Sequence, residues 1–452
     1  MRNSNPISNF SIVLVSIAIV VGPWMFGAWE TWWFWPFAVC IFLSGGSFAF
    51  RWFDGKHLVR EAGWRGSEML KVAVLGFLVL ILYAAVRMLQ AEVHTTAERS
   101  FLLMLTPFVI ALVLGLGASA SQLRGLYKVI WVNLVVIGVY GIVNHWACGD
   151  RYVLWRAGYE NYYRTQRMTG CYFCPDHFSG AMELLLCMAL GALGARSVTP
   201  RWRLMAAASA VISLYAILMS QSRGGALTVI VVVLAFLGLG LCEWRPRMRW
   251  ITRGGLAVAA AAALAALVLG NASVVERMRV YPWRHLERDS RYQMSAAAVR
   301  AWSETPSTRL FGIGPGMHQN LWFHYAASRD GDRATGTWPR FRNIKTHSHE
   351  VHNDWIQLLE EYGVVGFVLF LVAAFALVAL LLRDYAAQAR ARRRADWSDG
   401  GGEDFCILLA SLLIVVAIAF HSLGDFNLQI PGTNWMFAGI LSIGSGLVIR
   451  RK

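Results

Sequence analysis

The side chains best suited to chemistry in this 452-residue chain are His347, His349 and His352, three imidazoles within six residues, followed by Asn353, Asp354, Gln357, Glu360 and Glu361. Imidazole, with an ordinary pKa of about 6.5, takes up and returns protons near neutrality and is the usual general base. Placed on a helix at about 100° per residue, His349, Asn353, Asp354, Gln357, Glu360 and Glu361 share one arc. Val351, Trp355, Leu358, Leu359 and Tyr362 share the other. The pattern predicts an amphipathic helix that runs past Gly363 into the apolar stretch Val364 to Leu382, holding its polar arc near a bilayer surface. A solvated helix face is the plain alternative. Segment 271–361 holds six of the eleven histidines, which favours function. The histidine spacing also occurs in metal sites, but no acidic or cysteine partner follows at a fixed interval, so no metal and no cofactor is expected.

The elements that must position these groups are apolar. The chain is 56% hydrophobic and 15% charged, with a mean hydropathy of +0.46, against about 25% charged in soluble proteins. An ordinary soluble enzyme is excluded, and a polytopic membrane protein is expected. Runs long enough to cross a bilayer, about 17 to 25 residues each, lie near 10–28, 32–50, 69–88, 100–119, 124–146, 178–195, 203–220, 226–242, 254–271, 363–382, 404–420 and 432–449. With no cleavage pattern at the N-terminus, the first run is read as a retained span.

The net charge of +15 is a matter of topology rather than of nucleic acid, which is not expected as a partner. One set of short connections holds 23 of the 42 basic residues, and the positive-inside rule makes that set cytoplasmic, with both termini inside. On the other face sixteen of nineteen basic residues lie in the segments 147–177 and 271–350, and Lys345 is the one lysine there. Arginine's planar fork suits bidentate contacts to phosphate or carboxylate, so that face hints at an anionic ligand. Arginine-rich coding is the plain alternative.

The unusual sequence also falls on that outer face. Arg167-Met-Thr-Gly-Cys-Tyr-Phe-Cys-Pro-Asp-His-Phe178 precedes the sixth run, and Ser220-Gln-Ser-Arg-Gly-Gly225 joins the seventh to the eighth. Arg223 at a membrane edge is costly unless it snorkels or is paired, and is a functional candidate by default. Gly224 and Gly225 are expected to allow the tight reversal and a close backbone approach. The run Gly312-Ile-Gly-Pro-Gly316 lacks the lysine and the strand-to-helix setting of a phosphate loop, and reads as a turn. His421 and Asp425 lie together at a helix end in the last outer loop. Cys171 and Cys174 lack the βαβ context of a redox motif; a structural disulfide, Cys148 taking part instead of one of them, and free thiols are all open.

Four pieces together, Arg167 to Phe178, Ser220 to Gly225, Gly312 to Gly316 and His352-Asn-Asp-Trp-Ile-Gln-Leu-Leu-Glu-Glu-Tyr-Gly363, resemble the O-antigen ligase and polymerase superfamily over roughly residues 160–440. Asp176 departs from that pattern, which usually has an amide there. The resemblance implies an all-α polytopic membrane glycosyltransferase of GT-C-like fold, with about twelve transmembrane helices and a large periplasmic loop carrying short helices. It implies transfer of an oligosaccharide from undecaprenyl pyrophosphate to an acceptor hydroxyl at the periplasmic side of a bacterial inner membrane, without a metal. The acceptor would be a growing glycan, a lipid A core sugar or a protein hydroxyl, as in a protein O-oligosaccharyltransferase. Carried over residue by residue, the pattern implies Arg223, Arg291 and His352 as catalytic, with Arg167 and Glu361 binding substrate; His349, Asn353 and Glu360, on the polar arc, are expected to bind substrate beside them, His349 or Glu360 orienting His352. Arginines in a water-poor site stabilise charge developing on pyrophosphate, and His352 takes the acceptor's proton.

The chain divides accordingly into helices one to five (1–160), helices six to nine with the outer arginine motifs (161–270), a catalytic loop (271–362) and the last three helices (363–452). A flippase or transporter of the same lipid-linked glycan is the alternative of another class, since twelve spans suit transporters too. Internal repeats and midplane polar groups, their usual marks, are not evident.

Overall fold

The computed structural model describes residues 6–53, 68–148, 167–195, 198–239, 290–326, 348–394 and 402–451. Among these every regular element is helical: α1 (Pro6–Val21), α2 (Thr31–Phe53), α3 (Glu68–Leu89), α4 (His94–Leu112), α5 (Ala120–Cys148), α6 (Pro175–Gly194), α7 (Pro200–Ser220), α8 (Arg223–Leu239), α9 (Ser290–Ser303), α10 (Pro306–Phe311), α11 (His318–Ala326), α12 (Asp354–Arg394), α13 (Gly402–His421) and α14 (Pro431–Arg451). Helix suits a chain crossing lipid, because each backbone N–H and C=O finds its partner within the segment. Nine helices among the described residues are long and apolar enough to cross a membrane. Of the twelve expected runs, α1 and α8 are apolar but shorter, and 254–271 lies outside the described residues.

Helices α6 and α14 form the centre: 94% and 89% of their most apolar stretches are buried, against 28% for α3 and 22% for α12, which stand at the periphery. Helix α6 packs between α7 and α13, α14 lies against α4, and α3 against α12. The central position of α6 has a cost, because its buried side chains include Asp176, His177 and Glu183. Charged groups are tolerated inside a membrane bundle when they face one another rather than lipid.

The two ends of the bundle differ in charge chemistry. At one end Arg124 pairs with Asp404 at 2.7 Å, Lys128 with Glu403 at 2.9 Å and Arg451 with Asp384 at 2.8 Å. All of these basic residues belong to the set assigned to one side by charge counting. At the opposite end the start of α6, the end of α7, the start of α8, the end of α13 and the first turns of α12 converge with α9.

Two local expectations change. The segment at His349 is not helical: His352 has φ of 57°, and α12 starts at Asp354. Asn353 caps it, its Oδ1 accepting from the Ile356 N–H at 3.0 Å. Nor does α12 run smoothly into the membrane, because Gly363 breaks it with φ of 64° and ψ of −172°. The break frees the carbonyls of Glu360 and Glu361, and the glycine turn satisfies both: Ile313 N–H donates to Glu360 O at 2.8 Å and Gly314 N–H to Glu361 O at 3.0 Å. The turn's amides are thus used on a helix, not left for a phosphate. A Cβ on Gly363 would run into the Leu310 carbonyl, which is why only glycine fits.

Candidate active site

Asp425 is the hub of the polar end. It lies in the loop after α13, its side chain 1% exposed, with four basic groups around it: His352 Nδ1 at 3.5 Å, His421 Nε2 at 3.7 Å, His177 Nε2 at 3.9 Å and an Arg291 amino group at 3.9 Å. Burial alone would raise its pKa; Arg291, followed by the three imidazoles, outweighs this and holds Asp425 well below the usual carboxylate range. Asp176, at the start of α6, joins two arginines, accepting from Arg167 at 2.8 Å and from Arg291 at 2.7 Å. Arg291 is fixed a second time, donating to Gly424 O at 2.6 Å. One level deeper, Glu183 pairs with His421 at 2.8 Å.

Phe426 sets the ring geometry. It stands edge to face with His177 and with His352, at centroid distances of 4.6 and 4.4 Å. His352 is therefore aligned by a packed ring on one side and by a carboxylate at Nδ1. In this cluster most side chains are sealed: Arg167, Asp176 and His177 are 8 to 10% exposed, and His421 and Asp425 at most 1%. Two reach outward, Arg291 at 32% and His352 at 26%.

Arg223 begins α8 at the same end, half-buried. The reversal before it is made by Gln221, in the left-handed region with φ of 52°, and not by the glycines expected to make it. Gly224 and Gly225 serve close approach instead. A Cβ on Gly224 would lie 2.7 Å from His421 Nε2, and one on Gly225 would overlap the Ser179 hydroxyl, so α8 presses directly on α6 and α13.

The remaining expected residues take distinct places. Arg167 is a buried tie, its second bond running to Ser220 O at 2.8 Å. Asn353 caps α12 and donates to Leu423 O at 2.8 Å. His349 is exposed and bonds Gln319 at 3.1 Å. The polar arc of α12 is the buried one, Asp354, Gln357, Glu360 and Glu361 all facing inward while Trp355, Leu358 and Leu359 are half exposed. Glu360 meets His318 at 2.9 Å, and the other ring nitrogen of His318 reaches Ser348 at 3.1 Å. Burial would lower the His318 pKa, but Glu360 raises it, so this is an ion pair tying α11 to α12. Glu361 bonds Gln357 at 3.0 Å and Ser100 at 3.1 Å. The Asp425, His177, His421 and Glu183 quartet was not joined into a site from sequence, where His421 and Asp425 stood out at a helix end and His177 in the motif before the sixth run; Glu183, a carboxylate inside an apolar run, was the signal left unused.

Cys171 and Cys174 are free thiols. Burial pushes Cys174 up to about 12, and Cys171 is raised as well, which makes both poor nucleophiles. His347 lies outside the described residues.

An apolar cavity of about 340 Å³ lies against this end, walled by α3, α4, α12, α13 and α14. Its polar end is formed by Ser100, Asp354, Gln357, Glu361 and Ser422. Asp354 accepts from Ser422 at 2.7 Å through Oδ2, while its Oδ1 is buried without a partner among the described residues.

No curated protein matches the chain. Residues 208–371 match the family model described as O-antigen ligase, a stretch that contains Arg223, Arg291 and His352. This match over about a third of the chain, with the all-helical membrane architecture, supports a relation to the O-antigen ligase and polymerase superfamily.

Proposed function

We propose that the protein transfers an oligosaccharide from a polyprenyl pyrophosphate carrier, undecaprenyl pyrophosphate in a bacterial inner membrane, to an acceptor hydroxyl, with a GT-C-like helical scaffold and its active end on the periplasmic side. The observation that carries this is the pairing of exposures around Asp425: one arginine and one imidazole reach outward from a cluster that is otherwise sealed. Those are the two functions the reaction needs, a charge-stabilising donor for the leaving phosphate and a base for the incoming hydroxyl.

In this mechanism the acceptor's O–H proton goes to His352 Nε2 as its oxygen attacks the anomeric carbon of the donor sugar. The carbon–oxygen bond to the pyrophosphate breaks, and its electron pair stays on the phosphate oxygen. Asp425 faces Nδ1 and stabilises the imidazolium that forms. Arg291, fixed by Asp176 and Gly424, is preorganised toward the leaving charge. Arg167 and Arg291 face Asp176 and Asp425 before any ligand arrives, and Arg223, half-buried at the start of α8 at the same end, adds a third guanidinium toward the diphosphate. Arg167 acts as a positioning residue through Asp176. The neighbouring apolar cavity suits the carrier's isoprenyl chain.

The test uses the purified full-length protein, an undecaprenyl-pyrophosphate-linked oligosaccharide and EDTA throughout. Longer carrier-linked glycans, or transfer to added lipid A core, are expected with the wild type and absent with His352→Ala. A His352→Ala protein that still transfers removes the base from the mechanism, and wild-type transfer that stops in EDTA removes metal independence.

A further inference from the structure

A second, smaller recess of about 60 Å³ opens beside the loop that carries His352. Trp29, Arg99, Gln319, His349, Glu350 and Gln429 line it. It shares Ser100, Leu103, Gln357, Glu361 and Gln429 with the apolar cavity and faces the extramembrane loop 348–353. The recess is one ring away from the proposed base: Trp29 lies 6.1 Å from Phe426, which packs on His352 at 4.4 Å.

The lining does not suit a phosphate. Its one guanidinium, Arg99, lies over the Trp29 ring at 5.0 Å and donates to Trp29 O and to Thr31. Two carboxyl groups, Glu350 and Glu361, face the same space. What remains is an indole ring, two glutamine amides, an imidazole and carboxyl oxygens, which together accept and donate hydrogen bonds to neutral hydroxyls while a flat ring covers C–H faces. The amide of Gln429 makes no side-chain hydrogen bond among the described residues, and Gln357 bridges Glu350 and Glu361. Burial, with Glu361 adding to it, pushes Glu350 up to about 8, so at neutral pH it donates a hydrogen bond as well as accepting one.

We propose that this recess is the subsite for the acceptor sugar, with Trp29, Gln319, Glu350 and Gln429 reading the ring that bears the attacking hydroxyl. It rests on the transfer reaction above, and it separates the two substrates: the diphosphate on the arginine side of Phe426, the acceptor glycan on the Trp29 side.

The experiment varies donor and acceptor separately, using the full-length protein in detergent, an undecaprenyl-pyrophosphate-linked oligosaccharide as donor and acceptor glycans held on lipid by a non-cleavable link. Glu350→Ala and Gln319→Ala should each raise the acceptor KM roughly tenfold, the loss of about one good hydrogen bond, with the donor KM unchanged. Trp29→Phe should cost less than Trp29→Ala. A raised donor KM, a fall in kcat alone, or no change in either variant overturns the assignment while His352→Ala still reports on the reaction itself. A wild-type protein that transfers nothing overturns both readings.

Discussion

Replacing Asp425 with Asn tests the centre of the mechanism with little change of shape. Its Oδ1 accepts from the Phe426 N–H at 2.9 Å, a bond that an asparagine oxygen retains. Arg291 keeps Asp176 and Gly424 as anchors. What disappears is the negative charge 3.5 Å from His352 Nδ1. Two unit charges at that distance attract by about 5 kcal/mol at an effective dielectric of about 20. Water reaches His352, which is 26% exposed, and halving the figure for screening leaves roughly 2 to 3 kcal/mol. That attraction exists only once His352 has taken the proton, so it belongs to the transition state. The expected loss is roughly 30- to 150-fold in kcat, with donor KM little changed. The assay is initial-rate transfer from a lipid-linked oligosaccharide, with a thermal melt to show that the variant is folded. A folded Asp425→Asn protein within threefold of wild-type kcat, or one that loses only donor affinity, would refute the reasoning.

Arg291→Lys keeps a charge but loses the fork that holds both Asp176 and Gly424, and should lower kcat at least tenfold; a fully active lysine variant removes the preorganisation argument. Gly363→Ala requires a Cβ at φ of 64° against the Leu310 carbonyl and should cost about 1 to 3 kcal/mol of stability, seen as a lower melting temperature. For Glu350, raised to about 8, the folded state keeps a proton that the unfolded chain gives up above about 4.5. Its contribution to stability therefore falls as pH rises from about 5 to 8, and Glu350→Gln should melt with less pH dependence over that window; parallel melting curves for the two proteins would contradict the shift.

The membrane helices were legible because about twenty apolar residues in a row have few other fates, and charge counting grouped the ion pairs now found at one end of the bundle. His352, Arg291 and Arg223 were singled out through the resemblance, and the structure brings them to the same end of the bundle. The hub was not, since apart from His421 the basic groups around Asp425 lie 73 to 248 positions away, from His352 to His177. The start of α12 was missed because nothing in the letters marks His352 for positive φ. Periodicity found the two arcs of α12 but carried no sign: in water the polar arc would face out, whereas here it faces in toward Ser100 and His318. The reversal before Arg223 was assigned to glycine for its freedom, and Gln221 makes it instead.

That inside-out helix has a practical consequence. Cut away from its membrane neighbours, the loop ending at α12 would turn Trp355, Leu358 and Leu359 toward water and leave four carboxyl and amide groups without the walls that enclose them. Trp355 would also lose the Ala419 carbonyl to which its indole N–H donates at 2.9 Å. A soluble fragment of this loop, the form most convenient for raising antibodies or screening inhibitors, would collapse around the wrong face. Reagents against this protein have to be selected on the intact chain in detergent or nanodiscs.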